Sequence, residues 1–205
     1  MKKRVKDRAW INQHINDHYV QLAKHEGYRS RAVYKLIEID DQYNLLNDAK
    51  IIVDLGCAPG SWAQYVVNKV KGQSSVIGVD LLEIDPIHNL HFICGDFTDE
   101  VVLNQVANSL GNKMADLIIS DMSPNLSGIR MVDQAKGGYL VELVLDFARQ
   151  YLRTGGDCLI KVFHGGEFSS LVKLARDLFT KVIVSKPKAS RSKSNEIYLL
   201  CRKKV

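Results

Sequence analysis

Lys161 lies inside an apolar run, Leu159-Ile-Lys-Val-Phe163, where a charged side chain is rarely tolerated without a partner. Acidic residues punctuate the other apolar runs. Asp54 follows Ile51-Ile-Val53, Asp80 follows Val76-Ile-Gly-Val79, Asp96 follows Gly95, Asp121 follows Leu117-Ile-Ile-Ser120, and Glu196 opens Ile197-Tyr-Leu-Leu-Cys201. A lysine among carboxylates suggests proton transfer from a poor nucleophile such as a hydroxyl. It can act as a base only if its pKa falls below the free value of about 10.4, which desolvation or a second cation achieves. Tyr28-Arg-Ser-Arg-Ala-Val-Tyr-Lys35 offers that cation, because Arg31 and Lys35 share one helical face. Alone, Lys35 would read as a solvated helical lysine.

For these groups to meet, the chain must bring the ends of its apolar runs to one edge. Strands are expected at Ile51–Leu55, Val76–Asp80, Leu90–Cys94, Leu117–Asp121, Cys158–Phe163, Val182–Ser185 and Ile197–Cys201. Helical spacing separates them at Trp62–Val70, Glu100–Leu110, Tyr139–Leu152 and Phe168–Phe179, with Gly155-Gly156 closing the third of these. Upstream, helices are expected within Lys2–Lys24 and over Arg31–Tyr43, the latter capped by Ser30. Alternation of this kind predicts an α/β fold, a mostly parallel seven-stranded sheet with helices on both faces. The last link, Lys186–Asn195, is too short for a crossover helix, so the final strand should be antiparallel. That link is basic and Ser-rich with no evident apolar anchor.

In open parallel sheets ligands bind beyond the carboxyl ends of the strands. The first such end here is Asp54-Leu-Gly-Cys-Ala-Pro-Gly-Ser-Trp62, a glycine-bracketed turn before a helix. It is neither the G-x-G-x-x-G of dinucleotide folds nor a phosphate-binding P-loop. It resembles the S-adenosylmethionine loop of class I methyltransferases. On that footing Asp80 would meet ribose hydroxyls, or simply cap the segment after it. Asp96 would accept from the adenine amine beside Phe97, or serve only its own turn. Trp62 would line the methionine end, or be core. Asp54 is expected to hold the loop through backbone N–H groups. Asp121-Met-Ser-Pro-Asn125 lacks the aromatic of amine-methylating enzymes, and no Pro-Cys pair offers a pyrimidine-carbon nucleophile. An oxygen acceptor remains.

The chain has 205 residues, 46% hydrophobic and 25% charged, with a net charge of +5. No apolar stretch is long enough to span a membrane, and the basic N-terminus lacks a signal-peptide core; a cytoplasmic protein is expected. Charge is segregated: residues 1–35 carry net +6 and 181–205 net +7, leaving −8 for the middle. An acidic body with basic ends suggests a bound polyanion. The cysteines at 57, 94, 158 and 201 read as buried free thiols. His14 and His18 have no third ligand nearby, so no metal is expected.

Five motifs in order, Arg29-Ser-Arg-Ala-Val-Tyr-Lys-Leu36, the Asp54–Trp62 loop, Ser120-Asp-Met-Ser-Pro-Asn125, Ile160-Lys-Val-Phe163 and Ser190-Arg-Ser-Lys-Ser-Asn-Glu196, are similar to FtsJ/RrmJ-type RNA ribose 2′-O-methyltransferases. Arg8-Ala-Trp-Ile11 and Asp17-His-Tyr-Val20 narrow the resemblance to bacterial members acting on a uridine ribose in the A-loop of 23S large-subunit ribosomal RNA. The resemblance implies a class I, Rossmann-like fold and a catalytic set of Lys35, Asp121, Lys161 and Glu196, with Lys161 as proton acceptor. It implies S-adenosylmethionine contacts at Gly60, Trp62, Asp80, Asp96 and Asp121. It further implies one methyltransferase domain, residues 1–45 as a basic helical extension carrying Lys35 and 46–205 as the catalytic core. A monomer acting on the 50S particle or a late precursor would follow. The basic segments Lys2–Arg8, Arg29–Lys35 and Lys186–Lys193 would grip phosphates. Two positions depart from the family pattern: Ser61 replaces a usual glycine, and Asn195 a usual basic residue. Rival readings are a transfer-RNA or cap ribose methyltransferase, a non-catalytic assembly factor and an NAD-linked oxidoreductase.

Overall fold

The computed structural model describes residues 17–111, 113–125, 127–192 and 194–205. Lys2–Arg8, Arg8-Ala-Trp-Ile11, His14, Lys193 and most of the expected Lys2–Lys24 helix lie outside the described residues. Among those described, α1 is His18–Glu26 and α2 Val33–Tyr43. The alternating part follows as β1 Ile51–Leu55, α3 Ser61–Val70, β2 Ser75–Asp80, β3 Leu90–Cys94, α4 Glu100–Leu110 and β4 Ala115–Ser120. It continues through α5 Arg130–Tyr151, β5 Leu152–Phe163, α6 Phe168–Leu178, β6 Phe179–Ser185 and β7 Glu196–Lys204.

The seven strands form one sheet in the order β3-β2-β1-β4-β5-β7-β6. β1 to β5 are parallel, whereas β7 runs antiparallel between β5 and β6. As expected, β6 and β7 form a hairpin; the sequence did not reveal that β7 inserts beside β5. The order reverses at β1, between β2 and β4, and that switch point is where an open sheet leaves a crevice.

Each face has its own core. Leu36 and Ile39 of α2 and Trp62 and Val66 of α3 pack with Ile52, Leu117, Leu159 and Tyr198 on one face. On the other, α4, α5 and α6 cover Val53, Ile77, Ile118 and Ile160. α6 illustrates the pattern: Leu171, Val172, Ala175 and Leu178 form a buried stripe one helical turn apart. α2 is tied to α3 through buried Asp40, which accepts from the Tyr65 hydroxyl at 2.7 Å and sits 3.6 Å from Lys69 Nζ.

Four expectations need correction. α5 begins at Arg130 rather than Tyr139, because its exposed early turns, with Met131 81% accessible, show no apolar stripe. Gly155-Gly156 does not close that helix, which ends at Tyr151; the pair lies within β5, with Gly155 at φ +77°. Ser30 is not the immediate cap of α2, but its hydroxyl accepts from Ala32 N in the turn before it. Cys94 is exposed, since β3 is an edge strand with one side uncovered, while Cys57, Cys158 and Cys201 are buried free thiols.

Candidate active site

In an antiparallel pair, directly opposed residues project from the same face. Lys161 of β5 opposes Tyr198 of β7, and Phe163 opposes Glu196. This register places Lys161, Tyr198 and Glu196 on the face covered by α2. Asp121, one residue past the end of β4, turns toward them, and Lys35 descends from α2. Lys161 Nζ lies 2.9 Å from Asp121 Oδ1 and donates to the Asp121 carbonyl at 3.0 Å. Lys35 Nζ is 3.0 Å from Glu196 Oε1 and 3.7 Å from Asp121 Oδ1. Charges thus alternate along Glu196–Lys35–Asp121–Lys161, and the four side chains are only 7 to 17% exposed. At that burial an unpaired charge is costly, whereas each here has an opposite partner.

Tyr198 is the member that sequence reasoning missed. It is fully buried, its hydroxyl donates to Asp121 Oδ1, and its ring lies 5.8 Å from Lys35 Nζ. Burial, then the charges of Asp121 and Glu196, push its hydroxyl well above the ordinary tyrosine range. It therefore stays a neutral donor. Its position two residues after Glu196 was the available signal, because a strand repeats every second residue.

The carboxyl edge of β1 to β4 opens into a cavity of about 640 Å³ walled by Gly56, Asp80, Asp96, Phe97, Asp121 and Tyr139. That volume suits a nucleoside-sized ligand. Asp80 accepts from Ala58 N and Leu82 N, each at 2.8 Å, so it caps the adjoining segments as the simpler reading held. A carboxylate offers about four lone-pair sites, so it can still accept from a diol. Asp96 accepts from Thr98 N at 2.9 Å and remains exposed, while Phe97 beside it is anchored edge-to-face on Phe147.

Gly60 and Trp62 stand apart from this wall. Trp62 is 3% exposed, donates to Ala32 O at 2.8 Å and packs on Tyr198. Gly60 precedes α3 at φ +96°, a left-handed conformation that strains any residue with a Cβ. No side chain caps the start of α3, leaving first-turn N–H groups for an anionic group. Ser61 does not crowd the loop: its hydroxyl turns to Ser30 at 2.8 Å.

Two expectations about the loop change. Asp54 does not hold it through backbone N–H groups; those of Gly56 and Cys57 go to Val79 O. Asp54 is buried beside Cys57, and among the described residues its Oδ2 has no hydrogen-bond partner. Burial raises its pKa to about 7, opposed by the Cys57 hydrogen bond and reinforced by the charges of Asp121 and Asp80. The loop is held instead by Arg29, which donates to Pro59 O at 3.0 Å, Asp85 O at 2.7 Å and Pro86 O at 3.2 Å. Of the run expected to grip phosphates, Arg29 is committed to the loop and Lys35 to the charged quartet.

The 186–195 link also differs from expectation. Ala189 is fully buried in the α2-side core. Glu38 accepts from Lys188 N and from Ala189 N at 2.9 Å, and Arg31 donates to Ala189 O. The link is therefore docked onto α2.

Comparison with known proteins shows the family. A profile of the FtsJ-like methyltransferase family matches residues 28–204. The chain is 51% identical over 200 residues to ribosomal RNA large subunit methyltransferase E of Methylobacillus flagellatus, covering 98% of this chain and 97% of that one. It is 48% identical to the protein of the same name from Azoarcus sp., with 98% of each chain covered. A Plasmodium falciparum crystal structure, assigned as a ribosomal RNA methyltransferase, superposes with a TM-score of 0.79 at 35% identity, over 86% of this chain and 98% of that chain. Human methyltransferase-like protein 13, solved with SAH, shares the fold at 14% identity and a TM-score of 0.54, over 83% of this chain and 79% of that chain.

Proposed function

The chain belongs to the FtsJ-like methyltransferase family, and from that premise we propose that it methylates a ribose 2′-hydroxyl of large-subunit ribosomal RNA using S-adenosylmethionine. The substrate is assigned as a uridine in the A-loop of 23S RNA, met in the 50S particle or a late precursor. The protein works in the cytoplasm as a monomer, one methyltransferase domain throughout. Among the described residues no helix is long and apolar enough to cross a membrane. The observation that carries the reading is the Lys161–Asp121–Lys35–Glu196 quartet at the rim of the 640 Å³ cavity. Asp121 belongs to both the quartet and the cavity wall, so a group transferred out of the cavity meets Lys161.

The residues fit the cofactor. Asp80 would accept from ribose hydroxyls and Asp96 from the adenine amine, with Phe97 lining the same end of the cavity. Gly60 and Trp62, outside the cavity wall, would support the start of α3, which would take the methionine end. When bound, S-adenosylmethionine supplies an electrophilic methyl on a sulfonium.

Within this reading Lys161, once it has lost its own proton to solvent, would hold the 2′-hydroxyl and take its proton as the new O–C bond forms and the methyl carbon's bond to sulfur breaks. The positive charge that enters on sulfur leaves as protonated Lys161, so net charge is conserved. Asp121 fixes the Lys161 amine by two contacts, one through its carboxylate and one through its carbonyl. Lys35 and Glu196 hold the nucleotide and keep the Asp121 carboxylate in place. Much of the rate gain comes from alignment, since positioning can supply several kcal/mol (about 7–11 at most).

The test is to incubate the protein and labelled cofactor with unmethylated large subunits, free ribosomal RNA and transfer RNA. Label retained in an alkali-resistant 2′-O-methyl dinucleotide from the large subunit is expected. Label on transfer RNA alone, or label released as a methylated base, overturns the assignment.

A further inference from the structure

Beside the quartet lies a second cavity, of about 310 Å³, lined by Arg31, Ala32, Lys35, Arg191, Ser194 and Glu196. It shares Lys35 and Glu196 with the catalytic set, so the two spaces adjoin. Its one acid, Glu196, is already engaged 3.0 Å from Lys35. The arginines come from segments far apart in the chain, one in the turn before α2 and the other in the docked 186–195 link.

Both arginines are held from behind by one carboxylate. Asp17 Oδ1 accepts from Tyr19 N as the cap of α1, which leaves Oδ2 for the arginines. Oδ2 pairs with Arg31 and lies 3.6 Å from Arg191 Nε. Arg31 is further fixed by Ala189 O and by the Tyr19 ring, 5.5 Å from its guanidinium carbon. Among the described residues, the buried Nε atoms of Arg31 and Arg191 have no hydrogen-bond partner, and each guanidinium meets Asp17 as an ion pair. One Asp17 carboxylate thus serves two guanidinium groups, which leaves a net positive charge on the cavity they line, and a tetrahedral oxyanion there can accept from both. Arginine suits this task because its planar fork matches phosphate geometry.

Resting on the ribose-methylation reading, we infer that Arg31 and Arg191 form a seat for the phosphate on the 3′ side of the target nucleotide, preorganised by Asp17. Covalent chemistry favours this phosphate. The 2′-hydroxyl is carried on the carbon next to the one that bears the 3′ phosphodiester, so a ribose held at Lys161 brings that phosphate into the adjoining space. Docking the 186–195 link through Glu38 is then a requirement of binding, because it carries Arg191 to its place. Arg31 and Arg191 act on substrate, whereas Asp17 is a positioning residue.

The seat is tested by following methyl transfer to unmethylated large subunits at several salt concentrations, with cofactor affinity measured separately. Arg191→Gln is expected to lower kcat/KM for the subunit about five- to twentyfold and to make its log–log salt dependence shallower by about one charge. Asp17→Asn keeps a good helix cap and removes a negative charge near the RNA. General electrostatics predicts faster capture from that change. The seat predicts the opposite, a loss of about three- to tenfold in kcat/KM, because the two guanidinium groups lose their common anchor; Arg191→Lys should recover only part of the Gln variant's loss. Cofactor affinity should match wild type in each variant. An unaltered salt slope in Arg191→Gln, or improved kcat/KM in Asp17→Asn, overturns the seat while wild-type activity stands. Absence of ribose methylation by the wild-type protein on any RNA overturns the parent reading instead.

Discussion

Lys161 and Tyr198 face one another directly across the β5–β7 ladder, and both end on the same oxygen, Asp121 Oδ1. One carboxylate thus receives a donor that can give up a proton and a donor that is held neutral. The register of two strands, rather than a loop, fixes that distinction.

Lys161→Met should lower kcat by about two to four orders of magnitude, the usual scale for a positioned proton acceptor, while cofactor binding persists. Lys161→Arg should not restore activity, because a guanidinium remains protonated. Recovery of near-normal turnover with arginine, measured under single-turnover conditions, overturns the proton-acceptor role.

Tyr198→Phe removes a buried donor to a charged acceptor without changing the packing on Trp62. It should destabilise the protein by about 1.5–3 kcal/mol in urea unfolding. A variant as stable as wild type argues that Asp121 finds a replacement donor.

Arg29→Ala separates loop support from RNA contact. The three carbonyl contacts to residues 59, 85 and 86 predict a loss of cofactor affinity of about tenfold, each such bond contributing roughly 0.5–1.5 kcal/mol. The salt dependence of RNA capture should be unchanged. A shallower salt slope with normal cofactor affinity returns Arg29 to the phosphate-gripping role that its sequence context suggested.

Asp54 makes stability pH-dependent in an unusual direction. Its carboxyl is pushed up to about 7 by burial, against about 3.9 for an exposed aspartate. Below about pH 4 both folded and unfolded states hold the proton, and the folded state is favoured most. As pH rises from about 4 to about 7 the unfolded chain gives up this proton while the folded state must keep it, so stability falls by on the order of 4 kcal/mol in all. It levels off above about 7, where the folded state carries a buried charge. Asp54→Asn stays neutral, so its melting temperature relative to wild type should rise between pH 5 and pH 8. A difference that does not vary with pH excludes Asp54 as the source.

Residues that end apolar runs were legible because a strand must stop at the sheet edge and its last polar side chain marks that edge. Asp80, Asp96 and Asp121 were placed at the edge in this way, Glu196 as the residue opening the last run and Lys161 as a charge set inside one, and the loop from Asp54 to Trp62 marked the crevice. What escaped were contacts between segments remote in sequence. Nothing local to Arg29 says that its guanidinium turns back onto carbonyls, and nothing in a Ser-rich basic link says that Ala189 is buried. The early turns of α5 were missed for the opposite reason, having no buried stripe to detect.

The clasp between Glu38 and Ala189 joins residues 151 apart in the chain. Closing so long a loop is entropically unfavourable until many other contacts exist. The arginines and the lysine–glutamate pair assembled by that closure should therefore be among the last features to form during folding. Catalytic competence is in this sense a late checkpoint: a chain with most of its sheet in place would still be silent, and regain of activity after refolding should lag behind regain of secondary structure.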